Sequence, residues 1–143
     1  MKMSEAMRSG IAMVPEILGP MYRRSDGQAT AACALGTLEI GILGTVKLRV
    51  LEGDGFNTGF NNTRRIYDRL AEMWPWTKDY RVAVPGTAAT RSIGLEIMMR
   101  FEGEQRQSRE QIADWLESIE PVEMQVEPAV VVEQEAEVEY AYA

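Results

Sequence analysis

Pro121 divides this chain into two parts that cannot fold by the same rules. The 23 residues from Pro121 to Ala143 contain six glutamates and no lysine or arginine, while residues 1–120 hold 16 acids against 15 bases. The formal charge of −7 is therefore −1 on the body and −6 on the C-terminal segment. A stretch with high like charge and no internal counter-charge is poorly suited to a packed core. The sequence thus predicts a globular domain over 1–120 and an acidic Val/Glu/Tyr-rich tail or strand-forming arm over 121–143.

A body of this length buries a core without help from disulfides or metals. The 45% hydrophobic content agrees with that, and no apolar run reaches the length of a membrane span. Met1-Lys2-Met3-Ser4-Glu5 does not read as a secretory signal. The expected setting is cytoplasmic, or a virion if the chain is a phage structural component.

The chain has no histidine and one cysteine, Cys33. Ser-His-Asp and Cys-His nucleophile pairs are thereby excluded, and so are an intrachain disulfide and a cysteine-rich zinc site. Neither an aspartate-rich calcium loop nor a phosphate loop with Gly-Lys-Ser/Thr occurs. No cofactor and no metal is expected. Net acidity disfavours nucleic acid as a partner, since lysine and arginine supply affinity for phosphate backbones; Arg23-Arg24 and Arg64-Arg65 read as solvated pairs.

Along the body the fold class reads as mainly α, a small single domain of about five helices with little or no sheet. Ser4 is expected to cap a short helix over 5–9, and Pro15 to open a second turn ended by Gly19-Pro20. Arg24-Ser25-Asp26-Gly27 is a turn, followed by a helix from Ala29 to Leu43. Gly36 and Gly41 lower its propensity by roughly 1 kcal/mol each, which points to close approach of another element. Thr45 to Leu51 fits a strand or a helix, with a continued helix or short extended piece preferred.

A Gly/Asn-rich loop covers 53–62, and Asn61 or Asn62 is expected to cap a helix to Met73 with Ile66, Leu70 and Met73 in register. Pro75 ends it, Tyr80 to Val84 reads as a short strand, and Thr87 or Thr90 as the cap of a helix to Phe101 with stripe Ile93, Ile97, Phe101. Ser108-Arg109-Glu110-Gln111 is a capping box opening a helix with Ile112, Trp115, Leu116 and Ile119 on one face. Pro121 stops that helix.

Cys33-Ala34-Leu35-Gly36, a tryptophan-bearing middle and Ser108-Arg109-Glu110-Gln111-Ile112-Ala113-Asp114-Trp115, after the opening Ser4-Glu5-Ala6, resemble a set of small uncharacterised bacterial and phage proteins. The resemblance spans most of residues 4–120 and implies a mainly helical fold in a bacterial or phage setting, with no activity attached. Where those relatives carry Leu-Asn-Asp before the terminal helix, this chain has Phe101-Glu102-Gly103. Where some carry paired cysteines, it has Val84-Pro85-Gly86-Thr87, so no metal site carries over.

Three groups compete for a functional role. Cys33 lies among alanines and leucine, the setting of a core thiol. Glu110, Asp114 and Glu117 are spaced for carboxylate pairing, but the same spacing builds the solvated face of an amphipathic helix. Trp74 and Trp76 form either a core corner or an aromatic anchor. In the C-terminal segment Val130, Val132, Val138, Tyr140 and Tyr142 suit the edge of an extended arm. The expected function is that of a non-enzymatic bacterial or phage accessory protein acting through protein–protein contacts with a partner or a sister subunit. Alternatives are a virion structural component, a carboxylate-based enzyme and an acidic mimic of nucleic acid.

Overall fold

The central element is a helix buried on nearly every side. In the computed structural model, which describes residues 1–54 and 63–122, α2 (Ala34–Leu43) has every residue from Ala34 to Gly41 buried. Around it lie α1 (Met3–Ile11), the hairpin β1 (Tyr22–Ser25) and β2 (Gln28–Ala32), α3 (Leu48–Asp54), and α4 (Thr63–Met73) with a 3-10 turn at Pro75–Thr77. A second hairpin, β3 (Arg81–Ala83) and β4 (Thr90–Ser92), precedes α5 (Ile93–Glu102) and α6 (Arg109–Ile119). The described residues form a predominantly helical small domain with two antiparallel two-stranded sheets.

Helix α1 begins earlier than its sequence suggests. Ser4 lies inside the helix rather than capping it, and the Lys2 amide donates to Glu5 Oε1 at 2.9 Å. Met3, Ala6, Met7 and Gly10 form its buried stripe, with the i, i+3, i+4, i+7 spacing of an amphipathic helix. That stripe lies directly on α2. A Cβ on Gly41 would stand 1.6 Å from the Ala6 carbonyl oxygen, and one on Gly10 would stand 2.0 Å from that of Thr37. The glycine inside α2 thus serves the close approach its sequence implies.

Pro15 opens no helix. Its carbonyl accepts from the Ala32 amide at 3.0 Å, and the Ile17 amide donates to Ala32 O at 3.0 Å. The segment therefore runs extended beside β2, as a proline without an N–H can when its carbonyl is paired.

The larger departure is residues 29–32, expected as the start of a helix and found in strand β2. Asp26 and Gly27 have φ of 52° and 74°. Two successive positive φ values make a two-residue primed turn, whose twist matches paired antiparallel strands. Tyr22 then pairs with Ala32, and Ala29, Ala31 and Ala32 point inward. Alanine's helix preference amounts to tenths of a kilocalorie per residue, and hairpin pairing with burial overrides it.

Thr45 to Leu51 divides. The Val46 carbonyl accepts from the Ala29 amide at 2.8 Å and Lys47 bridges to Gln28; helix α3 starts at Leu48. The strand expected over 80–84 is observed as β3, but its partner β4 occupies Thr90–Ser92. The cap of α5 is consequently Ser92, whose Oγ accepts from the Leu95 amide at 3.3 Å, and not Thr87 or Thr90. Gly53 and Asp54, expected in the Gly/Asn-rich loop, are the last residues of α3; the rest of that loop and the expected caps Asn61 and Asn62 lie outside the described residues.

Two apolar clusters share α2. One joins Met3, Met7, Leu38, Leu70, Trp74, Ile97, Phe101, Ile112 and Leu116; the other joins Val14, Tyr22, Ala29, Ile40, Leu48 and Leu51. Among the described residues no helix is long and apolar enough to cross a membrane.

Candidate functional site

Helix α6 carries its cap and its stripe as the sequence implies. Ser108 Oγ accepts from the Gln111 amide at 3.1 Å, and the Ser108 amide donates to Gln111 Oε1 at 2.8 Å. Ile112 and Leu116 are fully buried, and Trp115 and Ile119 pack partly buried beside them. The outer face holds the acids. Arg8 Nη2 lies 2.8 Å from Asp114 Oδ1 and Arg8 Nη1 lies 2.7 Å from Glu117 Oε1, on an exposed surface. Both acids therefore serve an α1–α6 ion pair in solvent, where such pairs contribute at most about 1 kcal/mol.

At the far end of α6 the two termini of the body meet. The Ser4 amide donates to Glu120 Oε1 at 3.1 Å, and the Ser4 hydroxyl donates to Glu120 Oε2. Trp74 is buried, and its indole Nε1 donates to the Met1 carbonyl at 2.9 Å, so this tryptophan is a core corner. Trp76 is different. Only partly buried, it meets Tyr80 edge to face with ring centroids 5.7 Å apart, a favoured aromatic geometry. Trp74 and Trp76 line a cavity of about 90 Å³ together with Met1, Lys2, Glu120 and Pro121, and the exposed Val122 closes its rim.

The structure thus brings the tryptophan pair to the root of the acidic segment. Residues 72 to 76 and 120 to 122 are far apart in sequence, and no local pattern joins them. The expected arm residues Val130, Val132, Val138, Tyr140 and Tyr142 lie outside the described residues.

Cys33 is a helix cap and a core residue. Its Sγ accepts from the Gly36 amide at 3.5 Å, and burial pushes its thiol pKa up despite the lowering effect of nearby backbone N–H groups. A buried thiol with a raised pKa supplies little thiolate and is a poor nucleophile. Among the described residues no group of three or more acids or cysteines is placed to hold a metal ion. Arg24 pairs with Glu52 on the surface.

The sequence places Arg109 with Arg106 on an ordinary surface of mixed charge, and the structure corrects this for Arg109. This residue of the capping-box helix is buried; its Nη1 donates to Thr37 Oγ1 at 2.9 Å, and its Nε lies 3.6 Å from Glu16 Oε1. Burial lowers its pKa, and the Glu16 carboxylate opposes that effect. Arg106 pairs with the same Glu16. This trio ties α6 to α2 and to the segment after α1. The sequence places Arg109 at the first helical position, normally solvated, and gives no sign of its burial.

Comparison with protein-family models, with curated proteins and with solved structures finds no match for this chain. The functional reading therefore rests on the geometry.

Proposed function

We propose that this chain is a non-enzymatic accessory protein of a bacterium or phage that works by protein–protein contact, with the acidic C-terminal segment as its contact arm. The observation that carries the reading is the aromatic cavity at the root of that segment. Pro121 stops α6, and Pro121 and the 73% exposed Val122 line the cavity with Trp76 and Lys2. A partly buried aromatic pair beside a polar rim is the composition of a small contact patch. A glutamate-rich segment leaving next to it adds electrostatic steering toward a basic partner or a basic face of a sister subunit.

The test compares the full chain, a chain ending at Val122, and Trp76→Ala in the full chain. Self-association is read by sedimentation equilibrium, and partner capture by cross-linking in the source cells. Truncation should reduce capture or assembly at least tenfold, and Trp76→Ala should reduce it by less. If the truncated chain assembles and captures as well as the full chain, the arm has no such role.

A further inference from the structure

On the opposite end of α6 from the aromatic cavity, a cleft is built around one carboxylate and two arginines. Glu96, in the first turn of α5, is 7% exposed. Arg91 of β4 places its Nε 2.9 Å from Glu96 Oε1, and Arg100, one helical turn on, places its Nε 2.7 Å from Glu96 Oε2. Each carboxylate oxygen thus faces one guanidinium Nε. Arg100 is fixed further: its guanidinium carbon lies 4.0 Å from the Trp115 ring centroid, and its Nη1 lies 3.5 Å from Gln107 Oε1.

A guanidinium has five N–H donors. Arg91 approaches Glu96 through Nε without completing a hydrogen bond, and its Nη1 and Nη2 make none to the described residues, although its side chain is only 16% exposed. Both arginines line a cleft of about 270 Å³, with Pro85, Met99 and Gln107 among its other walls. Two parallel N–H groups on a preorganised guanidinium match a planar oxyanion. The trio Arg91, Glu96 and Arg100 carries one positive charge, and the exposed Glu104 on the cleft wall brings the lining to neutrality. A monoanion on the two guanidinia therefore uses all the cations the cleft has, and a dianion would add a second charge beside a carboxylate. Met99, which is 46% exposed, and Pro85 form an apolar stretch of the wall beside the arginines, and Gln105 and Gln107 form a polar one.

We infer that the cleft is a binding site for a small aliphatic monocarboxylate, its carboxylate on Arg91 and Arg100 and its methylene stem on Met99 and Pro85. Glu96 acts as a positioning residue, holding the two guanidinia at a common opening. This assignment is independent of the role proposed for the C-terminal arm.

Butyrate is the probe. It is titrated into the full-length protein at constant ionic strength while the arginine Nε–Hε resonances are followed by NMR, with inorganic phosphate titrated in parallel. Butyrate should produce saturable shifts at Arg91 and Arg100 and none at Arg23, and phosphate should produce no saturable shift. Arg91→Gln should weaken butyrate binding at least about tenfold. Met99→Glu, at an exposed position that tolerates substitution, should abolish it, while Arg23→Gln should leave it unchanged. Shifts that follow salt equally at all arginines would overturn the assignment, and so would undiminished binding in a folded Met99→Glu protein.

Discussion

Replacing Gly41 with alanine sets helix propensity against tertiary packing, and the two predict opposite signs. By propensity alone the change stabilises α2 by roughly 1 kcal/mol. In the folded protein the new Cβ would sit 1.6 Å from Ala6 O, 2.6 Å from Ala6 C and 3.0 Å from the Gly10 amide nitrogen. All three are backbone atoms, so no side chain can rotate away. Even a 3.0 Å separation, which real Cβ atoms seldom fall below, requires α1 to retreat by about 1.4 Å. That movement pulls the fully buried Met3, Ala6 and Met7 out of contact with α2 and its neighbours. A radial gap of about 1 Å forfeits up to half of the dispersion energy of the atoms lining it. Overpacking costs about 1–3 kcal/mol when flexible groups absorb it, and a backbone clash belongs at the upper end. Subtracting the propensity gain leaves a net loss of about 2 kcal/mol or more. For a domain of this size the corresponding fall in Tm is about 8 °C. Urea unfolding followed by circular dichroism and tryptophan fluorescence measures it, with Gly44→Ala as a comparison. Gly44 ends α2 at φ +68° with no atom near its absent Cβ, so that change should cost only about 1 kcal/mol through backbone strain. A Gly41→Ala protein as stable as the parent, or more stable, would refute the close approach of α1 and α2.

Three further outcomes follow from the caps of α2 and α6. Ser108→Ala removes the oxygen that accepts from the Gln111 amide and should lower the free energy of unfolding by about 1 kcal/mol; an unchanged urea midpoint would show that the box contributes nothing. Cys33 should react with iodoacetamide at least about a hundredfold more slowly in the native protein than in denaturant, because the thiol is buried and its pKa raised. The unfolded chain loses this proton at a lower pH than the folded one. Stability should therefore fall as pH rises above the ordinary thiol range of about 8.5. Cys33→Ala should lack that part of the fall, and identical pH profiles for the two proteins would contradict it.

Much of the helical framework was legible along the chain because its signals are local. The capping box at Ser108 needs only the spacing to Gln111, and the stripe Ile112, Trp115, Leu116, Ile119 needs only the helical period. Pro75 and Pro121 stop helices through their own ring geometry. The strand at 81–83 was visible, whereas β4 was hidden because Thr90 to Ser92 has no meaning without its partner. The hairpin at 22–32 was half legible: Asp26-Gly27 signalled the turn, and the alanine-rich stretch after it suggested helix. Pairing and burial decided that contest, and neither is written in residues 28–32 alone.

The sites divide in the same way. Cys33 was readable as a core residue from its apolar neighbours, and its structure agrees. Asp114 and Glu117 were readable as a solvated face. The meeting of Trp74 and Trp76 with Pro121 and Val122 depends on α1 joining the end of α6 through Ser4 and Glu120. The Arg91–Glu96–Arg100 cleft depends on a short strand lying beside a helix. Only Glu96 and Arg100, at i, i+4, could have been paired from spacing.

By itself the sequence determined which chemistry this protein is denied, through its lack of histidine and its single cysteine, and where its charge lies, through six glutamates after Pro121. It determined the helix ends that a residue and its near neighbours set by hydrogen bonding. The tertiary structure alone decided that Gly41 is a contact between two helix backbones and that Arg109 is buried on Thr37. It also decided that Pro121 and Val122 share a cavity with Trp74 and Trp76. Each of these joins residues distant in the chain, and only packing energies, which depend on all the elements at once, can bring them together.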